Sequence, residues 1–207
     1  MINNKLNIIL QNVILFTSLL LVACVPMEQP RTPEEMMLVE NKLVELLIAA
    51  NTALESDSKN DLGDAEAALK IATALKSDDV RVQDALGCLA LKQGDLEQAK
   101  FYFQQALALD NTYDPAYAHL AMIAERNNDL LIARQLYLLA LQHNPLNYQA
   151  RNNYAVFLVK HSKHSAEIRK FAQQELLAAQ HSYDREGTLV KKNLKKIKAQ
   201  DNTAHKK

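Results

Sequence analysis

Between Val80 and Pro145 a short block of residues returns at a fixed interval. Residues 94–106 read GDLEQAKFYFQQA, and residues 128–140 read NDLLIARQLYLLA. A weaker copy, NDLGDAEAALKIA, precedes them at residues 60–72. In each copy a Gly or Asn, an Asp and a Leu are followed by two alanines that flank a large residue. Because the copies start at Asn60, Gly94 and Asn128, at a constant offset, we predict a series of equivalent structural units.

Each unit is predicted to be a pair of packed helices. Trp is absent, and only 4 Gly and 5 Pro occur in 207 residues, which favours helix along the chain. In the central unit the small Gly87 lets two helix backbones approach, and the large Phe103 fills the space beside them. Gly94 is expected to take the left-handed conformation that ends the first helix. Asn60 and Asn128 are expected to take it in the neighbouring units.

Helix pairs that recur at an interval of about 34 residues resemble the tetratricopeptide repeat. The resemblance covers residues 46 to 181. It implies an all-α solenoid of about four helix pairs with a capping helix at the C-terminal end. The predicted bounds are about 46–79, 80–113, 114–147 and 148–181 for the repeats, within a repeat domain at 34–181, and 182–199 for the capping helix.

The outer repeats depart from the pattern. In the fourth repeat Glu167 stands where Ala is expected, although Phe171 keeps the position of the large residue. Before the first repeat, Thr32 is a favourable N-cap for a helix that continues to about Ser56. The buried stripe of that helix is predicted to contain Met36, Val39, Leu43, Leu46, Leu47, Ala50 and Leu54.

The C-terminal segment is basic, although the formal net charge of the chain is zero. Residues 185–207 carry eight Lys or Arg and two acids. A helix here places Val190, Leu194 and Ile197 on one stripe, as expected for a capping helix with one polar face. The alternative is that its lysines contact an anionic surface. Residues 200–207 are predicted to be disordered. The lysines of this helix are Lys191, Lys192, Lys195, Lys196 and Lys198.

The N-terminal residues are predicted to be a targeting segment rather than part of the fold. Residues 1–23 are predicted to be a signal peptide whose apolar run, Val13 to Val22, is shorter than the roughly 20 residues that span a bilayer comfortably. They lead into Leu21-Val22-Ala23-Cys24, which resembles a bacterial lipobox and implies that Cys24 carries covalent lipid such as palmitate. The alternative is a plain secretory signal. Residues 24–33 then form a short tether. Because Val25 rather than Asp follows the Cys, we expect the periplasmic face of the outer membrane.

The sequence shows little sign of catalytic chemistry, so an enzyme is the least favoured class. No phosphate loop, nucleophile elbow or zinc-protease motif occurs. His161 and His164 stand in a predicted basic turn without a nearby Cys or acid, so no metal site is predicted. Cys88 is interpreted as a small apolar residue. Apart from lipid on Cys24, we predict no cofactor and no small-molecule substrate. The basic tail lacks interleaved aromatic residues, which argues against a nucleic-acid partner.

The remaining feature is a binding groove on the first helices of the repeats. We predict an apolar floor with a charged edge, which suits an apolar strand or an amphipathic helix of a partner protein. Repeat proteins that clamp a C-terminal carboxylate need Lys and Asn at matching floor positions. Ala118 and Met122 stand there instead, which argues against that binding mode. The alternative is that part of the groove set serves internal packing. The predicted groove residues are Arg81, Asp84, Cys88, Leu91, Lys92, Ala118, Met122, Glu125, Arg126, Asn152, Val156, Val159 and Lys160.

A second resemblance comes from residues 150–158, which read ARNNYAVFL. They are similar to an Asn-Asn-Tyr-Gly-x-Phe-Leu stretch of the PilF/PilW group of type IV pilus biogenesis lipoproteins, with Ala155 in place of Gly. The resemblance implies a pilotin that assists assembly or outer-membrane targeting of the pilus secretin, with a secretin subunit as its partner. The alternative is a general periplasmic adaptor that recruits cell-wall or envelope-assembly proteins.

Overall fold

A computed structural model describes residues 31–56, 58–161, 166–182 and 190–196, and the regular structure in these ranges is helical. The chain divides into two units, Met1–Glu40 and Asn41–Lys207. No helix in the described ranges combines the length and the apolar character of a membrane span. The helices are α1 (Pro33–Glu55), α2 (Lys59–Leu75), α3 (Val80–Gln93), α4 (Leu96–Leu109), α5 (Asp114–Arg126), α6 (Leu130–His143), α7 (Tyr148–His161) and α8 (Ala166–Ser182); residues 190–196 are also helical.

The first unit contains the start of α1. The Thr32 amide donates to a Glu35 carboxylate oxygen at 2.8 Å, and the Glu35 amide donates to Thr32 Oγ1 at 3.2 Å. This reciprocal pair is a capping box, which confirms Thr32 as the N-cap. Met36 is 54% exposed, so its predicted place in the buried stripe is wrong. A helical stripe is buried only where another element covers it, and the core that includes α1 begins at Leu43.

In the second unit α1 and α2 share one hydrophobic core. Helix α2 already begins at Lys59, so Asn60 lies inside a helix and its predicted left-handed turn is wrong. Ahead of α2, the Ser58 amide donates to the Ser56 hydroxyl at 3.1 Å. The completely buried residues of this pair are Leu43, Ala50, Ala65, Leu69 and Ala72.

The two central pairs, α3–α4 and α5–α6, have the predicted close crossing. Gly87 of α3 lies against Phe103 of α4, which is completely buried. The equivalent Tyr137 of α6 is 1% exposed. As predicted, each first helix is followed by a left-handed residue, with φ of 85° at Gly94 and 66° at Asn128. The small residues at these crossings are Ala99, Ala106, Ala133 and Ala140, all completely buried.

In the fourth pair α8 is displaced from the repeat register. Leu176 is completely buried and takes the role of Tyr137, whereas the constant repeat offset assigns that role to Phe171. Phe171 is 44% exposed and Glu167 is also exposed, so the predicted alignment of these two residues is wrong. The displacement avoids burying a Glu at the helix crossing and restores the small–large–small spacing found in α4 and α6. The buried residues that provide this spacing are Ala172, Leu176 and Ala179.

Residues 190–196 pack on the end of the fourth pair. Val190 and Leu194 are buried in one cluster with residues of α7 and α8, as predicted for a capping helix. Asn193 Nδ2 also donates to Asn152 Oδ1 of α7 at 2.9 Å. The segment therefore covers the last repeat with both apolar and polar contacts. Outside the described residues lie the predicted signal peptide, Cys24, the turn at 162–165, Ile197, Lys198 and the C-terminal tail.

Candidate protein-binding groove

An open groove of about 650 Å³ follows the first helices of successive pairs in the second unit. It is lined by the C-terminal part of α1, by α3, α5 and α7, and by Val190. The repeat explains this arrangement, because positions one repeat apart face the same way on successive first helices. Its lining also includes the unpredicted residues Asn51, Leu54, Glu55, Pro115, His119, Asn147, Tyr148, Gln149 and Asn153.

Eight of the thirteen predicted groove residues line this groove. Several occupy equivalent positions of neighbouring repeats: Met122 corresponds to Cys88, and Arg126 corresponds to Lys92. Arg81 instead lines an adjoining cavity of about 210 Å³, to which Asp84 also contributes. The eight residues are Asp84, Cys88, Leu91, Lys92, Ala118, Met122, Arg126 and Asn152.

The other four predicted residues lie elsewhere. The Glu125 carboxylate accepts a hydrogen bond from Lys160 Nζ at 2.8 Å and lies 2.9 Å from His161 Nε2. Burial of the carboxyl group acts to raise the pKa of Glu125, but the contacts with Lys160 and His161 hold this pKa below its usual value. Val159 packs on the core at the C-terminal end, and Val156 is half-buried. Glu125 and Lys160 thus connect α5 to α7.

Asn152 lines the groove but is only 4% exposed. Its Oδ1 accepts the hydrogen bond from Asn193, and its Nδ2 donates to Asn153 Oδ1 at 3.1 Å. Asn153 Nδ2 in turn donates to Met122 Sδ at 3.4 Å. These contacts satisfy the Asn152 amide within the chain. For Asn152, therefore, the alternative of internal packing holds.

Three side chains with ionisable groups meet on the wall of the groove. Asp84 and Cys88 are one turn apart on α3, and His119 faces them from α5. His119 Nδ1 lies 3.0 Å from Asp84 Oδ1, and Cys88 Sγ lies 3.9 Å from both ring nitrogens. Burial disfavours the charged imidazole, but Cys88 and Asp84 together raise the pKa of His119 well above its ordinary value.

His119 is not among the predicted groove residues. It lies 31 residues after Cys88, which is not a spacing within one helix or one repeat. In the repeat register it corresponds to the buried Ala85, so periodicity predicts a core position. The sequence does hold one signal for His119, because a polar, ionisable residue stands here at a position where the preceding repeat has Ala. Only the placement of α5 beside α3 brings the imidazole to the thiol.

Comparison with known proteins identifies the type of repeat. Residues 80–113, which contain α3 and α4, match the family model described as Tetratricopeptide repeat. No curated protein matches the sequence. Among solved structures, the crystal structure of the APC/C hetero-tetramer Cut9–Hcn1 has a TM-score of 0.56 at 17% identity, covering 75% of this chain and 29% of that chain.

Two bacterial structures resemble this chain with TM-scores close to that value. An O-GlcNAc transferase of Thermobaculum terrenum has a TM-score of 0.56 at 19% identity, covering 70% of this chain and 27% of that chain. PilF of Pseudomonas aeruginosa has a TM-score of 0.58 at 12% identity, covering 80% of this chain and 71% of that chain.

These similarities concern the fold alone, because all three identities are low. The chain spans less than a third of the length of Cut9–Hcn1 and of the O-GlcNAc transferase chain. Together with the family match, they confirm the predicted fold class, an all-α tetratricopeptide-repeat solenoid.

Proposed function

We propose that this protein is a non-catalytic scaffold that holds a segment of a partner protein, and that it assists assembly or outer-membrane targeting of the type IV pilus secretin. The groove is the observation that carries the scaffold role, because equivalent positions of successive first helices line it. Tetratricopeptide repeats form extended binding surfaces of this kind. The similarity to an O-GlcNAc transferase concerns the fold alone and supplies no argument for catalysis.

The groove favours an amphipathic partner segment whose charges complement those of the groove edge. Leu91, Ala118 and Met122 give it an apolar floor. Each apolar side chain of the partner that is fully buried there gains about 1.5 to 3 kcal/mol from leaving water. Lys92 and Arg126 are exposed at its edge and provide positive charge, and the exposed Glu55 provides negative charge. Charges in such a position select and orient a partner of opposite sign.

The choice of the secretin as partner rests on two further features. Cys24 stands in a lipobox-like context, and a lipid there would deliver the domain to the outer membrane. Residues 150–158 resemble the Asn-Asn-Tyr stretch of the pilotin lipoproteins. The fold similarity to PilF is consistent with this choice.

A deletion strain tests the secretin role. We expect loss of detergent-resistant secretin multimers and of twitching motility, with both restored by the wild-type gene. Normal multimers and normal twitching in the deletion strain would contradict the pilotin role. Co-purification with cell-wall enzymes in that case would favour the general adaptor.

A pair of matched variants tests the groove. Lys92→Glu combined with Arg126→Glu reverses the charge of the groove edge, and we expect about tenfold or weaker binding of the secretin subunit. Lys100→Glu combined with Arg134→Glu makes the same change at exposed positions of α4 and α6, also one repeat apart, and should bind normally. Equal binding by both double variants, with unchanged helical circular dichroism, would count against the groove.

A further inference from the structure

We propose that Asp84, Cys88 and His119 bind a zinc ion on the wall of the groove. The inference does not depend on the partner, because all three groups belong to this chain. A carboxylate oxygen, a sulfur and an imidazole nitrogen lie within 4.8 Å of one another here. These are the three ligand types that Zn²⁺ takes in proteins.

The spacing of these atoms is close to that of a tetrahedral site. With bonds of about 2.3 Å to sulfur and about 2.1 Å to nitrogen, the two ligand atoms stand about 3.6 Å apart. Cys88 Sγ lies 3.9 Å from His119 Nδ1. Nitrogen and oxygen ligands stand about 3.4 Å apart, and His119 Nδ1 lies 3.0 Å from Asp84 Oδ1. Binding would replace the hydrogen bond between His119 and Asp84 by a bond from each residue to one ion, with the Cys88 sulfur turned towards it.

The surrounding structure restricts these side chains without closing the site. Asp84 and Cys88 share one face of α3 because they are four residues apart. The imidazole of His119 packs against the buried Phe103, with ring centroids 4.6 Å apart. All three candidate ligands are half-buried and line the groove. An ion can therefore enter from the groove.

The ligand set selects the kind of ion and its consequences. Sulfur and imidazole favour Zn²⁺ over Mg²⁺ and Ca²⁺, which prefer oxygen. Binding requires the Cys88 thiol and the protonated His119 imidazole each to release a proton to solvent. Three protein ligands leave a fourth position, which water or a group of a bound partner can occupy from the groove. The ion also joins α3 to α5 and so connects two repeats.

Cobalt substitution tests the proposal on the full chain, purified in detergent without partner. Adding Co²⁺ to metal-free protein should produce a sulfur-to-cobalt charge-transfer band that saturates at one equivalent and that Zn²⁺ then removes by displacement. Cys88→Ser should abolish the band. His119→Gln and Asp84→Asn should each weaken Co²⁺ binding by about tenfold or more.

Two control variants locate the signal. Cys24→Ala removes the other cysteine sulfur of the chain, and His143→Gln removes an imidazole that stacks on Tyr117 outside the cluster. Both should retain the band. No band in the wild type, a band that persists in Cys88→Ser, or binding unaffected by both His119→Gln and Asp84→Asn would overturn the proposal. Circular dichroism establishes that each variant is folded, and the result is separate from that of the secretin experiments.

Discussion

At Gly87 the absence of one carbon atom permits the close approach of α3 and α4. A Cβ at this position would lie 2.7 Å from Cδ1 and Cζ of Phe103, well inside van der Waals contact. Phe103 is completely buried, so its ring has no free space into which to turn. We therefore expect Gly87→Ala to lower the free energy of unfolding by about 1 to 3 kcal/mol, measured by urea unfolding.

Gly63 provides the matched control for this substitution. It lies within α2, and a Cβ there would meet nothing within 4 Å. Gly63→Ala should raise the free energy of unfolding by about 0.5 to 1 kcal/mol, because Ala loses less backbone entropy in a helix. If both Ala variants are more stable than wild type, the steric account of the crossing is wrong.

Asp79 caps α3 and forms an ion pair there. Its carboxylate accepts hydrogen bonds from the Arg81 amide at 3.0 Å and from Arg81 Nε and Nη2 at 2.9 and 2.7 Å. Lys76 Nζ lies 3.3 Å away. The hydrogen bonds from the Arg81 side chain are the main cause that lowers the pKa of Asp79 to about 2, from an ordinary value of 3.8.

This lowered pKa predicts how stability changes with pH. Because the carboxylate is favoured in the folded state, its contribution is complete above pH 3.8 and is lost as the pH falls towards 2. Asp79→Asn keeps the capping oxygen but removes the charge. We expect the variant to be less stable by about 1 to 2 kcal/mol near neutral pH, with the difference disappearing at about pH 2. Urea unfolding of both proteins across this pH range measures the difference in free energy of unfolding. A difference that stays constant with pH would contradict a stabilising ion pair at Asp79.

At the scale of single helices, α8 provides the clearest test of register. Leu176 is completely buried at the crossing with α7, whereas Phe171 is 44% exposed. Leu176→Ala should therefore cost about 3 kcal/mol through lost burial and a residual cavity, and Phe171→Ala about 1 kcal/mol or less. Thermal or urea unfolding compares the two variants. If Phe171→Ala lowers the free energy of unfolding more than Leu176→Ala does, α8 follows the uninterrupted repeat register and the displacement described above is wrong.

The sequence predicts helix ends and buried positions correctly where they follow the constant offset of the repeat. Gly94 and Asn128 end their helices as expected, because both turns need a left-handed residue and the constant repeat offset aligns them. The same offset fails at α8, because strict extension of the register aligns Phe171 rather than Leu176 with Tyr137. The signal is nevertheless present in the sequence, since two alanines flank Leu176 at the spacing found around Phe103.

The groove shows the complementary limit of sequence reasoning. Positions such as Met122 and Arg126 are predictable, because they repeat Cys88 and Lys92 on the next first helix. The contact between Cys88 and His119 is not, because it joins non-equivalent positions of two repeats. Such contacts depend on how neighbouring helices pack, and periodicity carries no information about them.

At the scale of the whole molecule, the proposed anchor makes a separate prediction. A lipid on Cys24 would hold the protein at the membrane, since acyl chains contribute about 0.8 kcal/mol for each buried CH₂ group. Labelled palmitate should enter the wild-type protein but not Cys24→Ala, and the variant should move to the soluble periplasmic fraction. Label that still enters Cys24→Ala would refute the assignment of the lipid to this residue.

The proposed function requires that the groove formed by the first helices holds a partner segment. Photo-crosslinking in cells tests it most directly, with a photoreactive residue in place of Arg126 in the groove or of Arg134 on the second helix α6. We predict a crosslink to the secretin subunit, identified by mass spectrometry, from position 126 and none from position 134. Crosslinking from position 134 alone, or equally from both positions, would contradict the account.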